Sequence, residues 1–524
     1  MSLNRQIEAA WSFHQRTAHS PQSVRASGHT LDWDIKPSPF KIYADLPPVP
    51  LTPDVPALGA DTLQALSGSV RVGARLDLEQ LAGLLFFSAG ITKRKTYPGG
   101  GEVYFRAAPS TGALYQTEVY VVADDVAGLP AGVYHFSPGD FALRRLRGGD
   151  FRAALAVAAA DDGIAAVPAT VVLSALYWRN TWKYEARGYR HLFWDAGTML
   201  ANLLAAAKAL GLPARLVAGF VEREVNGLLG LDGEKEGTLL LVPVGQERAP
   251  APSPPVVALL PHRVIPLSSR EVDYPLLRDA YANSSLDSEA EVMEWRDSLT
   301  LGGSSAVGSS AGAMSRPPQM VDRLVALPAP IMTCGRSLGS TILARGSTRQ
   351  FSGEPITIEE ISTSLYHATR EVLADVPSGL VDLYVNVHAV DGITPGAYAY
   401  RPGEHLLELL KTGDFRKDSA FLCLEQSLGG TSSATVFFLV DLAGILERFG
   451  NRGYRLANLE AGLVGGRLYL TAYGQRFGAT GLTFYDGDVV RFFSPHAEGK
   501  DAIFVTALGR AVRGPARAQV RDSL

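Results

Sequence analysis

The chain lacks the features that mark several functional classes. Its 524 residues include two cysteines, Cys334 and Cys423, far too distant in sequence for a C-x-x-C pair. Neither a disulfide framework nor a thiolate zinc site is indicated. The ten histidines show no H-E-x-x-H or similar spacing, so no metal is expected. No uncharged apolar run reaches the roughly 18 residues of a membrane span. The opening MSLNRQIEAAW is charged and has no apolar signal core, so a cytoplasmic location is the default expectation. Neither sign of charge is in excess: 49 basic and 53 acidic residues give a net charge of −4, which offers no handle for nucleic acid or an anionic membrane. What remains is an ordinary globular composition, 46% hydrophobic and 19% charged, long enough for more than one domain.

Common catalytic signatures are also missing. Gly335–Gly339 and Gly308–Gly312 both read G-x-S-x-G, yet neither lies in a clear strand-to-helix turn, so no nucleophile elbow is expected. Gly99-Gly100-Gly101 has neither the dinucleotide-binding pattern nor a P-loop ending.

The strongest positive signal is internal. Trp182–Gly197, WKYEARGYRHLFWDAG, returns 265 positions later as ERFGNRGYRLANLEAG. Identities are Arg187/Arg452, Gly188/Gly453, Tyr189/Tyr454, Arg190/Arg455, Ala196/Ala461 and Gly197/Gly462, with Asp195/Glu460 a near match. The GVYHF hairpin at Gly132 returns as GAYAY at Gly396, and Gly149-Asp150-Phe151-Arg152 as Gly413-Asp414-Phe415-Arg416, both at an offset of 264. Near-constant spacing over separated blocks indicates a tandem duplication of one domain, with a period too long for a solenoid. The boundaries expected are a helix and proline-rich extended arm over 1–60, a first domain over 61–246, a connector with a flexible Gly/Ser loop over 247–335, and a second, degenerate copy over 336–524. Hydrophobic spacing predicts helices over Asn4–His19, Leu76–Ser88, Tyr189–Leu210 and Ser285–Ser298, and strands over Glu118–Ala123, Ala169–Leu176 and Thr238–Val244.

The copies differ where chemistry would reside. Lys183-Tyr184 pairs an amine that can lose a proton with a phenol; the counterpart Arg448-Phe449 can do neither job. Arg345-Gly346-Ser347-Thr348-Arg349, expected just before the TIEEISTSLY helix, suits a phosphate or ribityl chain, whereas the first copy offers Ser67-Gly68-Ser69-Val70-Arg71. Pro109-Ser110-Thr111-Gly112-Ala113-Leu114 is a small-residue turn that lets backbone N–H groups approach a flat ligand; its counterpart Pro377-Ser378-Gly379 is shortened. The second copy ends its last strand in Gly509-Arg510, the first in Gly245-Gln246. Glu185 is either an orienting partner for Lys183 or a solvated helix-start charge.

Together R-x-S-x-R, P-S-x-G-A-L-Y, K-Y-x-x-R-x-Y-R and the D-A-G helix resemble the nitroreductase superfamily, specifically its SagB-type (azoline-oxidase-like) flavin dehydrogenases. The resemblance covers residues 10–246 and, in degraded form, 336–510. It implies an α+β fold, a mainly antiparallel sheet flanked by helices in each copy, with the two copies packed as an intramolecular pseudo-dimer. It implies FMN at the interface, with Arg345, Ser347, Arg349 and Arg510 from the second copy, Pro109, Ser110, Gly112 and Ala113 from the first, and Gly481 beside the ring. One FMN per chain is expected, because the intact halves complement each other in a single site. The resemblance makes Lys183 and Tyr184 the proton-removing pair, and a small molecule or peptide the substrate, with NAD(P)H a candidate electron donor. The alternative is a non-catalytic flavin-binding or scaffold protein that assists a peptide-modifying complex, or a flavin-free pseudoenzyme.

Overall fold

The computed structural model describes residues 2–67, 73–96, 101–248, 250–301 and 323–512. Largely apolar segments buried at every residue, such as Ala169–Leu176 and Ala434–Val440, form the inner strands of two sheets covered on both faces. The first sheet runs Pro48–Pro50, Ala142–Gly148, Gly132–Ser137, Thr117–Ala123, Ala169–Leu176, Glu236–Val244. The second runs Leu324–Ala326, Leu406–Thr412, Gly396–Arg401, Asp382–Val387, Ala434–Val440, Asp501–Gly509, with Gly478–Gly481 added at its far edge. Every pairing in both sheets is antiparallel. The strand order is therefore the same in each half, and the fold is α+β.

The two long helices, Gly188–Ala209 and Arg452–Gly474, pack against each other at the centre of the molecule. They cross at the glycine that ends each repeated segment. A Cβ on Gly197 would lie 2.6 Å from the Leu463 nitrogen, and one on Gly462 would lie 2.8 Å from the Trp194 carbonyl carbon. Only glycine allows backbones this close. Around the crossing, Tyr189 and Tyr454 stack with planes 4° apart, and Trp194 donates to Asn458 Oδ1 at 2.7 Å.

The repeated arginines serve the same junction reciprocally. Arg187 and Arg190 reach Asp486, the first residue of the helix Asp486–Phe493 in the second half. Arg452 and Arg455 reach Glu222, the first residue of the helix Glu222–Leu229 in the first half. All six side chains are buried. Burial works against ionised Asp486, yet the two arginines hold its carboxyl down to about 2. Buried charges are tolerable only when paired and hydrogen-bonded, so these groups fix the docking of the halves rather than add to an apolar core.

Several boundaries differ from the sequence reading. The helix expected from Leu76 begins at Leu78, because Asp77 caps it by accepting from the Gln80 N–H at 2.9 Å. The first helix contracts to Glu8–Arg16, and the connector helix lies at Glu289–Leu301. A second connector helix, Pro275–Asn283, and the hairpin Ile91–Thr96 with Glu102–Arg106 have no counterpart in that reading. The Gly/Ser stretch expected to be a flexible loop lies outside the described residues. The arm packs on the first half: Ser38, Ile42 and Ala44 exchange backbone hydrogen bonds with residues 263–267, and Lys41 buries its amine on Tyr120 and Glu236, at 2.7 and 2.5 Å.

Alanine at Gly197 or Gly462 should separate the crossing and cost about 1–3 kcal/mol or more, read as a lowered urea midpoint; an unchanged midpoint would show that the helices do not bear on each other there. Glu222→Ala leaves two arginines buried without an acid and should cost about 3–5 kcal/mol in the same assay.

Candidate functional site

The turn at Pro109–Tyr115 is held in an unusual conformation. Gly112, Ala113 and Tyr115 all have positive φ, 63°, 54° and 52°. For two non-glycine residues this costs energy that the surroundings must offset. The restraint is Asp195, on the first central helix two residues before the crossing glycine. Its carboxylate accepts from Ser110 Oγ at 2.5 Å, from Thr111 Oγ1 at 2.6 Å, from the Thr111 N–H at 2.9 Å and from Gln116 Nε2 at 2.6 Å. Burial raises its pKa to about 6 against the pull of those donors. The second copy repeats the device: Glu460 accepts from the Gly379 and Leu380 N–H groups at 2.6 and 2.9 Å.

The second half closes the turn from the other side. Arg345 donates to the carbonyls of Ala107 and Arg106 at 3.0 and 2.8 Å. Tyr469, on the second central helix, links the neighbouring pieces: its hydroxyl lies 3.3 Å from Ser347 Oγ and accepts from the Gly481 N–H at 2.6 Å. Arg345, Ser347 and Gly481 thus converge on one tyrosine, opposite the turn carrying Pro109, Ser110, Gly112 and Ala113.

Lys183 and Tyr184 end the helix Tyr177–Tyr184, beside the turn. A Cβ on Gly112 would stand 2.8 Å from the Tyr184 hydroxyl, so glycine is required there for space as well as for φ. Behind Tyr184, His191 packs edge-on at 4.4 Å between ring centres and is buried, with its pKa far below the usual range through desolvation and Arg187. Lys183 is half-buried. Burial first, and the Arg349 guanidinium second, lower its pKa. Tyr184 is pushed up by burial and by Asp195, with Arg349 opposing. Among the described residues no carboxylate pairs with Lys183 or Arg349. The two cations come from different halves, and Arg349 is exposed to solvent.

Two expectations need correction. The R-x-S-x-R segment does not precede a helix: it follows the helix Leu338–Ala344, and the next helix starts at Ile358 behind its Thr357 cap. That helix carries Glu359 and Glu360 in its first turn, where they would repel a phosphate. Arg510 lies next to the segment through the Phe351–Ala511 bridge, but its guanidinium is spent on Glu360 at 2.7 and 2.8 Å. Glu185 faces His29, 3.9 Å away, rather than Lys183. Ser67 hydrogen-bonds His367 at 2.5 Å; Ser69 and Arg71 lie outside the described residues. Asp195 and Tyr469 are the contributors that the sequence reading did not assign. The acid shared before Ala-Gly in both copies is the signal that points to the first; nothing in the sequence marks the second.

The arrangement fits a planar anionic group: a strained turn on one side, a hydroxyl-bearing segment with arginines on the other, and Lys183 beside the turn. Among the described residues, no group of three or more His, Cys, Asp and Glu could hold a metal, and no helix is long and apolar enough to cross a membrane.

The Nitroreductase family profile matches residues 75–246. The MJ1384 protein of Methanocaldococcus jannaschii, which bears a nitroreductase name, is 31% identical over 198 residues, 37% of this chain and 94% of that protein. The trifolitoxin-processing protein TfxB of Rhizobium leguminosarum is 30% identical over 167 residues, 30% of this chain and 44% of its own length. A crystal structure from Anabaena variabilis with a nitroreductase name superposes with a TM-score of 0.76 at 27% identity, covering 96% of this chain and 99% of that one. The fold is thus shared across both halves, and the chain belongs to the nitroreductase family.

Proposed function

We propose that the protein is an FMN-dependent oxidoreductase with a single flavin held between its two halves, which pack as an intramolecular counterpart of a dimer. The observation that carries this reading is the apposition of the strained Pro109–Tyr115 turn of the first half and the R-x-S-x-R segment of the second, joined by Arg345 on the Ala107 and Arg106 carbonyls and by Tyr469 between Ser347 and Gly481. Arg345, Ser347 and Arg349 would hold the phosphate and ribityl chain. The Pro109–Ala113 turn and Gly481 would line the ring. Arg510 would act indirectly, by keeping Glu360 paired. FMN, when bound, supplies the hydride acceptor or donor.

The chain's own residues account for the proton. Burial and Arg349 both favour the neutral amine of Lys183, which makes it a stronger candidate base near neutral pH than an exposed lysine. Burial and Asp195 keep the Tyr184 hydroxyl protonated, so it serves as a hydrogen-bond donor to the substrate. The equivalent place in the second half is covered: Arg5 donates to the Arg448 carbonyl at 3.1 Å, and Asn4 and Trp295 donate to that of Phe449 at 3.3 and 3.0 Å. This favours one competent site. The likeness to a toxin-processing protein supports a peptide as the substrate; that the peptide bears an azoline rests on the resemblance to the SagB-type dehydrogenases. NAD(P)H-fed reduction of a quinone or nitro compound would use the same flavin.

The purified protein should be yellow with one FMN per chain; two would remove the argument from unequal halves. Arg349→Ala should lose flavin while Arg71→Ala keeps it, and the reverse result would mean that the halves are misassigned. Lys183→Ala should retain the flavin spectrum yet slow flavin reduction by an azoline peptide about 10²–10⁴-fold, leaving NAD(P)H-driven quinone reduction intact. In the unaltered protein that rate should rise with pH through an apparent pKa below the ordinary lysine value of 10.5, since the neutral amine is the active form. An unchanged peptide rate in the variant would remove Lys183 as the base.

A further inference from the structure

The second copy of the turn, Pro377-Ser378-Gly379, borders an open cleft. Its walls are apolar, with Leu216, Val376, Leu380, Leu459 and Leu463 among them. Its rim is fixed rather than loose. Leu216 exchanges backbone hydrogen bonds with Leu373 and Asp375, at 2.9 and 3.1 Å. The Asp375 carboxylate accepts from the Ala218 and Gly219 N–H groups at 2.7 and 2.9 Å and is paired with Arg296.

Three charged side chains reach this cleft: Arg370, Arg467 and Glu460. Arg467 is buried and directs one nitrogen at the carbonyls of Arg370 and Ala368. Arg370 lies over the Tyr366 ring at 4.1 Å. Among the described residues neither arginine has an ion-pair partner, and Lys208 adds a third positive field next to Arg467. Glu460 is occupied by the turn's N–H groups and is pushed by burial up to about 7, so near neutrality it is only partly ionised and offsets only part of the charge of Arg467. In the first half Asn202 stands where Arg467 stands, on the opposite central helix, donating to the Phe87 carbonyl at 3.0 Å. The substitution puts a cation at the end of an apolar cleft.

We propose that this cleft binds a small apolar carboxylic acid, its chain on the Leu459–Leu463 face and its carboxylate on Arg467 and Arg370. A flavin suits it poorly, because the one described hydroxyl of the 67–71 segment, that of Ser67, is tied to His367. An arginine in an otherwise apolar cleft is matched by a ligand that brings both a hydrocarbon surface and one anionic fork.

The test is calorimetric titration of the flavin-loaded protein with octanoate, with octanamide as the neutral analogue. Octanoate should bind at one site per chain and octanamide about tenfold more weakly or worse. Arg467→Gln and Arg370→Gln should each weaken octanoate by about tenfold or more. Arg370 is only partly buried, so its variant tests the idea even if the Arg467 variant fails to fold. Absence of octanoate heat, equal binding of the amide, indifference to Arg370→Gln, or displacement of octanoate by a second equivalent of FMN would each overturn the proposal. None of these outcomes depends on turnover, so they are separable from the fate of Lys183 as a base.

Discussion

The contact of two helix backbones at Gly197 and Gly462 governs the rest of the structure. With no side chain at the crossing, the helices cannot slide without their main chains colliding. Each half also anchors itself on the other half's acid, Arg187 and Arg190 on Asp486 and Arg452 and Arg455 on Glu222. A registered crossing and a reciprocal exchange of buried charge restrain the same degrees of freedom. The site inherits that precision. Asp195 is two residues from one crossing glycine and Glu460 two residues from the other, so the acids that hold the two turns are positioned by the contact that joins the halves.

The repeated segment was readable because one junction uses the same residues twice. The hairpins were readable for a similar reason, since they recur at one offset, and the strands Glu118–Ala123, Ala169–Leu176 and Thr238–Val244 from their apolar runs; the order of the strands in the sheets was not. What sequence spacing cannot convey is which partner a polar side chain selects. The arginines stood out as repeated, yet their acids lie 230 to 299 residues away in the other half, with no periodicity to link them. Arg510 was plausible as a phosphate ligand beside its segment, but an acid 150 positions upstream claims it. The helix expected after Arg349 begins later because Thr357 and Glu360 form a capping box, which sets the start regardless of the segment before it. Tyr469 carries no mark in the sequence; its role exists only because the second central helix passes between Ser347 and Gly481.

The two halves keep their symmetry near the crossing and lose it with distance. At the crossing the glycines, tyrosines and arginines match. One turn further out, Asp195 meets two hydroxyls and a carboxamide, while Glu460 meets only backbone N–H groups. Further still, Lys183-Tyr184 stands beside the strained turn, whereas Arg448-Phe449 is covered by the N-terminal residues and Trp295. Asn202 gives way to Arg467. This gradient has a physical basis. A substitution at the crossing disturbs both halves at once, because the contact is shared, whereas one at the rim of a single cleft is felt only there. A shared junction therefore preserves the fold while the two clefts differ in chemistry, one polar and cationic, the other apolar with an arginine at its end.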